Sequence, residues 1–359
     1  MPREEGLIRR VTFGNLNLDD PFFDSLKNAY AEFSDWFNRK AEEKAFVVFD
    51  NANNLQAFLY LKIENGAVTD INPPLRTTSC LKVGTFKINA HGTRLGERFV
   101  KKIVDTALCN NVRHAYVTVF EEHQGLIRIL ETYGFTHYGF KDTPNGQEKV
   151  YLKDMTRPQN DLCLDYPLVD ARNTNKWLLS VLPEYHTNLF PDSILRNEQA
   201  SIIDDVSFSN SIHKVYLGFL VEMPQIAVGD SIIIYRCMGK PNTGAWYRSV
   251  ATSLCVVQEV RSKRSFASEQ DLVDYCQRFS VFDENNLRRL YHIQKRTELH
   301  VLKMTYNLAF PRRPNLQALV QNAGLPDPRN TYYGLVRLTD EQFNNTLTLG
   351  QVYEGIVIN

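Results

Sequence analysis

A glycine-bearing loop between a predicted strand and a predicted helix constrains this chain more than any other stretch. Residues 81–88 are rich in apolar and β-branched residues and predict a strand, after which come Gly92 and Gly96. The helix that follows has apolar residues four apart on one face, at Leu95, Phe99, Ile103 and Ala107. Free backbone N–H groups and the positive end of a helix dipole meet at such a junction, and glycine lets phosphate oxygens approach the backbone. The junction therefore predicts a binding site for a phosphate-bearing ligand.

Composition describes a globular protein of two domains without a strong overall charge. The chain has 359 residues, which is long for one domain, and 43% of them are hydrophobic while 23% are charged. Its 41 basic residues balance 41 acidic ones. Because no overall field attracts nucleic acid, any nucleic-acid binding must come from a local patch.

The sequence predicts neither a signal peptide nor a membrane span, and its cysteines are not paired in motifs. Its first residues, MPREE, do not form the apolar segment of a signal peptide, and no run approaches the roughly twenty apolar residues of a membrane span. Six cysteines are scattered without a C-x-x-C pair, which favours reduced thiols over disulfides or a zinc site. We therefore expect a cytoplasmic protein with no bound metal and no membrane partner.

The first part of the chain alternates strands and helices. Asp20 and Pro21 supply the start of one helix, whose apolar residues are Phe22, Leu26, Tyr30, Phe33 and Phe37. Further helices are expected at residues 95–110 and 124–132. Strands are expected at residues 6–13, 45–50, 56–63, 81–88, 114–120, 135–140 and 149–152.

A polar segment near residue 160 marks a change of pattern. We place a first domain at residues 1–155, a linker at 156–172 and a second domain at 173–359. In the second domain, strands are expected at residues 215–219, 231–235, 249–260 and 299–309, and helices at 269–278 and 284–291. The pattern predicts a strand-rich, barrel-like domain that carries short helices.

The glycine loop fails the patterns of two common phosphate sites. Gly96 is followed by Glu97 and Arg98, not by the Lys-Ser or Lys-Thr of a Walker loop. The loop also lacks the G-x-G-x-x-G pattern that closes a first βαβ unit in a dinucleotide-binding fold. What remains is a pyrophosphate loop in the middle of a domain.

Two segments resemble motifs of the GNAT acetyltransferase superfamily. Residues 91–96, HGTRLG, resemble its Q/R-x-x-G-x-G/A loop, and residues 129–135, ILETYGF, resemble its L-Y-x-x-x-G-F corner. His91 and Arg94 depart from the usual loop residues. In exchange, Arg94 can offer a CoA phosphate a bidentate contact.

The resemblance implies a GNAT fold for the first domain, a mixed sheet with flanking helices, and acetyl-CoA as co-substrate. Backbone N–H groups around Gly84 would polarise the acetyl carbonyl, as the splayed strand does in the family. The implied CoA-binding residues are Thr85, Phe86, Lys87, Ile88, His91, Gly92, Thr93, Arg94, Leu95 and Gly96.

Three side chains are candidates for proton transfer. The position where the family often has a Tyr as general acid is Leu130 in this chain. Tyr133 and Tyr138 are nearby phenols that can protonate the CoA thiolate. His123 stands where the family often has Asn and can act as a proton shuttle. The alternatives are packing roles for both tyrosines and a plain polar helix start for His123. No carboxylate lies at residues 80–88, so the amine loses its proton through a water chain or arrives already neutral.

Three segments of the second domain resemble the PUA-like superfamily, in particular EVE and ASCH domains. They are KWLLSV at 176–181, VGDSIIIYR at 228–236 and SLCVVQEV at 253–260. The resemblance implies a PUA-like β-barrel that binds RNA or a modified base through stacking aromatic rings and cationic side chains. The candidates are Trp177, Tyr235, Arg236, Trp246, Arg261, Lys263 and Arg264. The alternative is that the basic residues are solvated surface and that Trp177 and Tyr235 pack in the core.

Together the two resemblances predict an acetyl-CoA-dependent N-acetyltransferase that acts on a nucleic-acid-associated amine, such as tRNA, an aminoacyl-tRNA or a modified base. One alternative keeps the enzyme but gives it a protein or small-molecule amine, with the barrel structural. Another is a non-catalytic protein that binds acyl-CoA or RNA. The sequence is also compatible with a homodimer.

Overall fold

The computed structural model describes residues 7–89, 94–193, 211–239, 244–353 and 355–359. The chain divides into two compact units, Met1–Arg157 and Pro158–Asn359. His91, Gly92 and Thr93 of the predicted CoA loop lie outside the described residues. None of the helices in the described ranges has the length and apolar composition that crossing a bilayer requires.

A seven-stranded mixed sheet forms the first unit. Its strands are β1 (Arg9–Thr12), β2 (Lys44–Phe49), β3 (Leu55–Asn65), β4 (Ser79–Ile88), β5 (His114–Val119), β6 (Phe135–Thr143) and β7 (Gly146–Asp154). They are arranged in the order β1-β2-β3-β4-β5-β7-β6. β4 and β5 are parallel, whereas the other neighbouring strands are antiparallel. The mixed sheet with flanking helices expected from the sequence is confirmed.

Four α-helices in the described part of this unit accompany the sheet. They are α1 (Asp24–Ala29), α2 (Phe33–Asn38), α3 (Leu95–Cys109) and α4 (Gln124–Thr132). α3 connects β4 to β5 and buries the predicted apolar stripe, in which Phe99 and Ile103 are fully buried. α4 is followed by Gly134, whose φ of +77° places it in the left-handed region that glycine adopts without steric cost.

The single helix predicted from Phe22 to Phe37 is wrong. Asp20 does start a helical turn, because its side chain accepts a hydrogen bond from the Phe22 N–H. Tyr30 then adopts an extended backbone, with φ −132° and ψ 104°, and separates α1 from α2. Its hydroxyl donates to Glu148 on β7. Helical periodicity cannot anticipate a partner that lies so far along the chain.

The second unit contains a six-stranded sheet and a separate pair of strands. The strands are β8 (Val169–Asp170), β9 (Lys176–Val181), β10 (His213–Gly218), β11 (Ser231–Arg236), β12 (Val250–Ser262), β13 (His300–Ala309), β14 (Leu335–Leu338) and β15 (Val357–Ile358). The larger sheet has the order β10-β13-β12-β11-β9-β14, and β8 pairs with β15. Among the residues that the structure describes, the helices are α5 (Pro183–Leu189), α6 (Ala245–Arg248), α7 (Glu269–Cys276), α8 (Glu284–His292), α9 (Leu316–Gln321) and α10 (Asp340–Leu349).

The closed barrel expected for this unit is not what the described strands form. β10 and β14 are the two edges of an open sheet, and within the described ranges they do not pair with each other. The four strands and two helices predicted here are confirmed. Closure, in contrast, depends on pairing between strands that are distant along the chain, and alternating hydrophobicity does not specify it.

A buried carboxylate ties the start of β9 to the start of β11. Asp230 is 2% exposed and accepts hydrogen bonds from Trp177 Nε1 at 2.8 Å, from the Asn175 N–H at 2.9 Å and from the Ala227 N–H at 3.0 Å. Trp177 is itself 1% exposed, so its N–H cannot turn to water and depends on this carboxylate.

Replacing Asp230 with Ala is expected to lower the free energy of unfolding of the second unit by about 3 kcal/mol, because buried donors lose a charged acceptor. Asp230→Asn keeps one oxygen acceptor and should lose less. Asp274→Ala, at an exposed position of α7, is the control and should be close to neutral. Urea unfolding followed by circular dichroism measures the three variants. Equal stabilities for Asp230→Ala and Asp274→Ala would contradict the role of Asp230.

Candidate functional site

β4 and β5 separate along their length and leave a gap in the sheet. Their parallel pairing begins with Leu81 opposite Ala115 and ends with Val83 opposite Val117. β4 nevertheless continues to Ile88. Beyond Val83, β4 is paired with β3 on one side only, so alternate backbone N–H and C=O groups on its other side face the gap.

A β-bulge at Gly84 starts this separation. On β3, Tyr60 pairs with Thr85 and Leu61 with Val83, so Gly84 is the extra residue on β4. A Cβ at Gly84 would lie 2.6 Å from Cδ1 of Tyr60. The ring cannot move aside freely, because the Tyr60 hydroxyl accepts a hydrogen bond from Lys40 at 3.0 Å and donates to Glu43. Glycine is therefore the residue that fits where the two strands part.

A cavity of about 1120 Å³ occupies the gap. It is walled by β4 and β5, by α1 and α2, by the start of α4 and by the turn between β6 and β7. The members of the predicted CoA-binding set that line it are Thr85, Phe86, Lys87, Ile88 and Gly96. Arg94 directly precedes α3, and Leu95 is 2% exposed in the core.

The two helices α3 and α4 approach closely at the mouth of this gap. A Cβ at Gly96 would lie 2.5 Å from Cδ1 of Ile129 on α4. Both residues line the cavity. A side chain at position 96 would therefore collide with Ile129 at the cavity wall.

A phenol–carboxylate pair lies in the cavity wall. The Tyr30 hydroxyl donates to Oε1 of Glu148 at 2.6 Å, and Glu148 is 4% exposed. Burial raises the pKa of Tyr30 above its ordinary value, and the hydrogen bond to Glu148 raises it further, so the phenol keeps its proton. Lys149, the next residue after Glu148, pairs with Val119 at the end of β5. The carboxylate therefore lies at the end of the gap.

Two further contacts hold α1 and α2 against the cavity. Asn145 Nδ2 donates to both carboxylate oxygens of Glu32 at 3.0 Å, and this hydrogen bond lowers the pKa of Glu32. Lys87 on β4 donates to Oγ of Ser25 at 2.5 Å. Burial lowers the pKa of Lys87, although nearby aspartates oppose the shift. These contacts anchor the α1–α2 segment to both β4 and the β6–β7 turn.

Of the three side chains predicted to transfer protons, His123 lines the cavity. Tyr133 is 4% exposed just after α4, and the Tyr138 hydroxyl donates to the Pro74 carbonyl at 3.1 Å; neither side chain lines this cavity. Sequence analysis missed Tyr30 and Glu148. One available signal was that Glu148 shares its strand face with the apolar Val150, a position where a carboxylate is unusual.

Four residues of the predicted nucleic-acid set contact other groups inside the second unit. Trp177 and Tyr235 are 1% and 3% exposed and belong to its core. The Arg261 guanidinium lies 3.7 Å from the centroid of the Phe266 ring. Nζ of Lys263 lies 4.2 Å from the centroid of the Tyr291 ring.

Solvent reaches the other three members of that set. Arg264 has 88% of its side chain exposed, and its Nε lies 3.6 Å from a carboxylate oxygen of Glu298. Arg236 and Trp246 are half-buried. The nucleic-acid role of the seven residues stays a prediction.

Solved structures similar to part of the chain are acetyltransferases. One is a spermidine N-acetyltransferase SpeG chimera from Vibrio cholerae and hSSAT, which is 17% identical to this chain with a TM-score of 0.30. The match covers 40% of this chain and 92% of the chimera. Chaetomium thermophilum Naa20 in complex with a bisubstrate analogue is 16% identical with a TM-score of 0.31, and the match covers 40% of this chain and 83% of the Naa20 chain. A GNAT family acetyltransferase from Elizabethkingia anophelis with acetyl-CoA bound is 10% identical with a TM-score of 0.30, and the match covers 41% of this chain and 96% of that acetyltransferase.

No protein-family model and no curated protein sequence matches the chain. At such identities and TM-scores the structural likenesses do not carry a functional argument. The function is therefore inferred from the geometry of the gap between β4 and β5.

Replacing Gly84 with Ala is expected to lower the free energy of unfolding of the first unit by about 1–3 kcal/mol, because the new methyl group overpacks against the held Tyr60 ring. Gly125→Ala is the matched control. Gly125 also lines the cavity, but a Cβ there meets nothing within 4 Å. Since Ala favours a helix over Gly, this variant should be neutral or slightly more stable. Chemical denaturation gives the free energy of unfolding of both variants. A similar decrease in both would contradict the packing of Gly84 against Tyr60.

Proposed function

We propose that the first unit is an acetyl-CoA-dependent N-acetyltransferase. The observation that carries the proposal is the gap between β4 and β5, with the unpaired edge of β4 along one side of a large cavity. The pantetheine arm of CoA is extended and contains amide groups, so it can hydrogen-bond to this edge as an added strand would. The start of α3 and the preceding loop then suit the pyrophosphate.

The CoA-binding residues we propose are those of the strand end, the loop and the start of α3. Thr85, Phe86, Lys87, Ile88 and Gly96 line the cavity and would contact the pantetheine arm. His91, Gly92, Thr93, Arg94 and Leu95 are proposed for the pyrophosphate end. Backbone N–H groups near Gly84 would stabilise the oxyanion that forms when an amine attacks the thioester.

The leaving thiolate requires a proton, and we propose His123 as its donor. His123 lines the cavity at the start of α4. An imidazole has two ring nitrogens, one of which can donate a proton while the other accepts one. Tyr133 and Tyr138 lie outside the cavity wall, so His123 is the better placed of the three predicted side chains.

Acetyl-CoA should bind the wild-type protein, and Gly96→Leu should weaken that binding by about tenfold or more, equivalent to about 1.4 kcal/mol. The leucine side chain would collide with Ile129, and one of the two side chains would be displaced into the cavity. Cys109→Leu, at an exposed position at the far end of α3, is the control and should bind as the wild type does. Isothermal titration calorimetry gives the affinities. A wild-type protein that does not bind acetyl-CoA would contradict the proposed function.

We propose a nucleic-acid-associated amine as the acceptor. The support is twofold. Three segments of the second unit resemble PUA-like domains, and solvent reaches three of the predicted cationic and aromatic side chains, Arg236, Trp246 and Arg264. A protein amine or a small-molecule amine is the alternative acceptor. A protein that binds acyl-CoA or RNA without catalysis is the alternative to an enzyme, and thiol release in the presence of amines distinguishes it.

Total tRNA should be retained by the protein and released as salt is raised, because phosphate contacts displace counterions. Arg264→Glu should weaken retention and reduce the slope of log affinity against log salt by about one. Arg329→Glu makes the same charge change at a side chain that is 85% exposed and outside the predicted set, so it should have little effect. Filter binding at several salt concentrations measures this. Retention that ignores salt, or no retention, favours the alternative acceptors.

A further inference from the structure

We propose that Glu148 accepts the proton of the acceptor amine and that Tyr30 positions its carboxylate. This inference rests on the N-acetyltransferase function proposed above. It fills a chemical requirement, because residues 80–88 of β4 carry no carboxylate that could act as the base.

Glu148 differs from the other acidic residues around the cavity. Glu32, Glu122, Asp142 and Glu148 all line it among the described residues. The first three are exposed, whereas Glu148 is 4% exposed. It also lies next to Lys149, the partner of Val119 at the end of β5. Among the acidic residues described around the cavity, Glu148 is therefore the one that is sheltered from water, and it lies at the end of the gap.

Tyr30 determines which oxygen of Glu148 is available. Its hydroxyl donates to Oε1, and a carboxylate has further lone pairs on Oε2. The Tyr30 ring is itself held, since its centroid lies 5.5 Å from that of Phe120. Because the phenol retains its proton, it remains a hydrogen-bond donor to Glu148 throughout. Tyr30 acts through Glu148 and is a positioning residue.

The proton and electron balance is simple. An ammonium group transfers one proton to Oε2 of Glu148 and becomes a neutral amine. The nitrogen lone pair attacks the acetyl carbonyl carbon, the C–N bond forms and the C–S bond breaks, so the electron pair leaves on sulfur. The nitrogen loses its second proton as the amide forms, and the thiolate takes up one proton to become free CoA. Glu148 then releases its proton to solvent, and the net products are the acetamide, CoA and one proton.

A purely structural role makes a different prediction. The Tyr30–Glu148 hydrogen bond also joins the α1–α2 connection to β7, as the Asn145–Glu32 contact joins it to the β6–β7 turn. If the pair only braced the cavity, its loss would affect every acceptor equally. A base is needed for a charged amine and not for a neutral one, so the acceptor's charge separates the two roles.

The experiment compares two probes with the full-length protein. Ethylamine is protonated near neutral pH, whereas hydroxylamine is largely neutral. Glu148→Gln should lower kcat for ethylamine by about 100-fold or more, the range typical of general acid–base catalysis. It should leave transfer to hydroxylamine and the affinity for acetyl-CoA close to wild type. Thiol release measures turnover, and calorimetry measures the affinity.

Two further variants sharpen the test. Glu122→Gln removes an exposed carboxylate from the same cavity and should leave transfer to ethylamine unchanged. Tyr30→Phe keeps the ring and removes the hydroxyl, so it should lower kcat for ethylamine less than Glu148→Gln does, without changing the affinity for acetyl-CoA. Glu148→Asp should recover part of the lost turnover, because it restores a carboxylate.

The outcomes distinguish the base assignment from the function itself. An equal loss with both probes, or no loss with ethylamine, overturns the role of Glu148 and leaves the acetyltransferase proposal standing. Wild-type protein that binds acetyl-CoA but does not acetylate ethylamine also overturns it, since a base in the wall of this cavity should serve a small amine. Failure of the wild type to bind acetyl-CoA is the separate result that contradicts the proposed function.

Discussion

The packing of Gly84 against the ring of Tyr60 is the contact on which the first unit depends. Because the ring is held through Lys40 and Glu43, β4 accommodates it by a bulge, and pairing with β5 ends at Val83. Sheets gain stability from continuous pairing, so an interruption between two central strands is a cost that other contacts must offset. The interruption leaves the backbone N–H and C=O groups of β4 without a partner strand on the side of β5, and it leaves a large cavity in the middle of the sheet. A loop on the protein surface could not provide so rigid an edge.

The cavity is shaped equally by the segment that lies across it. Tyr30 interrupts what would otherwise be one helix, and the interruption lets its hydroxyl reach Glu148 while Glu32 accepts hydrogen bonds from Asn145. A buried carboxylate in this position needs a hydrogen-bond donor, and the Tyr30 hydroxyl supplies one. The pair thereby combines two effects: it holds the α1–α2 connection in place and keeps a sheltered carboxylate at the end of the gap.

Residues that share a chemical type differ in role according to what surrounds them. Trp177 has the aromatic surface needed to stack on a base, but its N–H is bound by Asp230 and its ring belongs to the core. Arg261 and Lys263 have the charge needed to bind phosphate, but each lies over a ring of its own unit. Arg264, from the same basic cluster, extends into solvent. Composition alone does not separate these cases, because burial and contacts decide them.

Local patterns in the sequence determined much of the first unit. The strand that ends near Ile88, the apolar stripe of α3 and the bounds of α4 before Gly134 all follow from periodicity and from glycine chemistry, which act between near neighbours. Tertiary structure decided the rest. The break at Tyr30, the pairing of Tyr30 with Glu148 and the open sheet of the second unit each depend on residues that are distant along the chain. Hydrophobic periodicity carries no record of such partners, because it reports which face of an element is buried and not what that face meets.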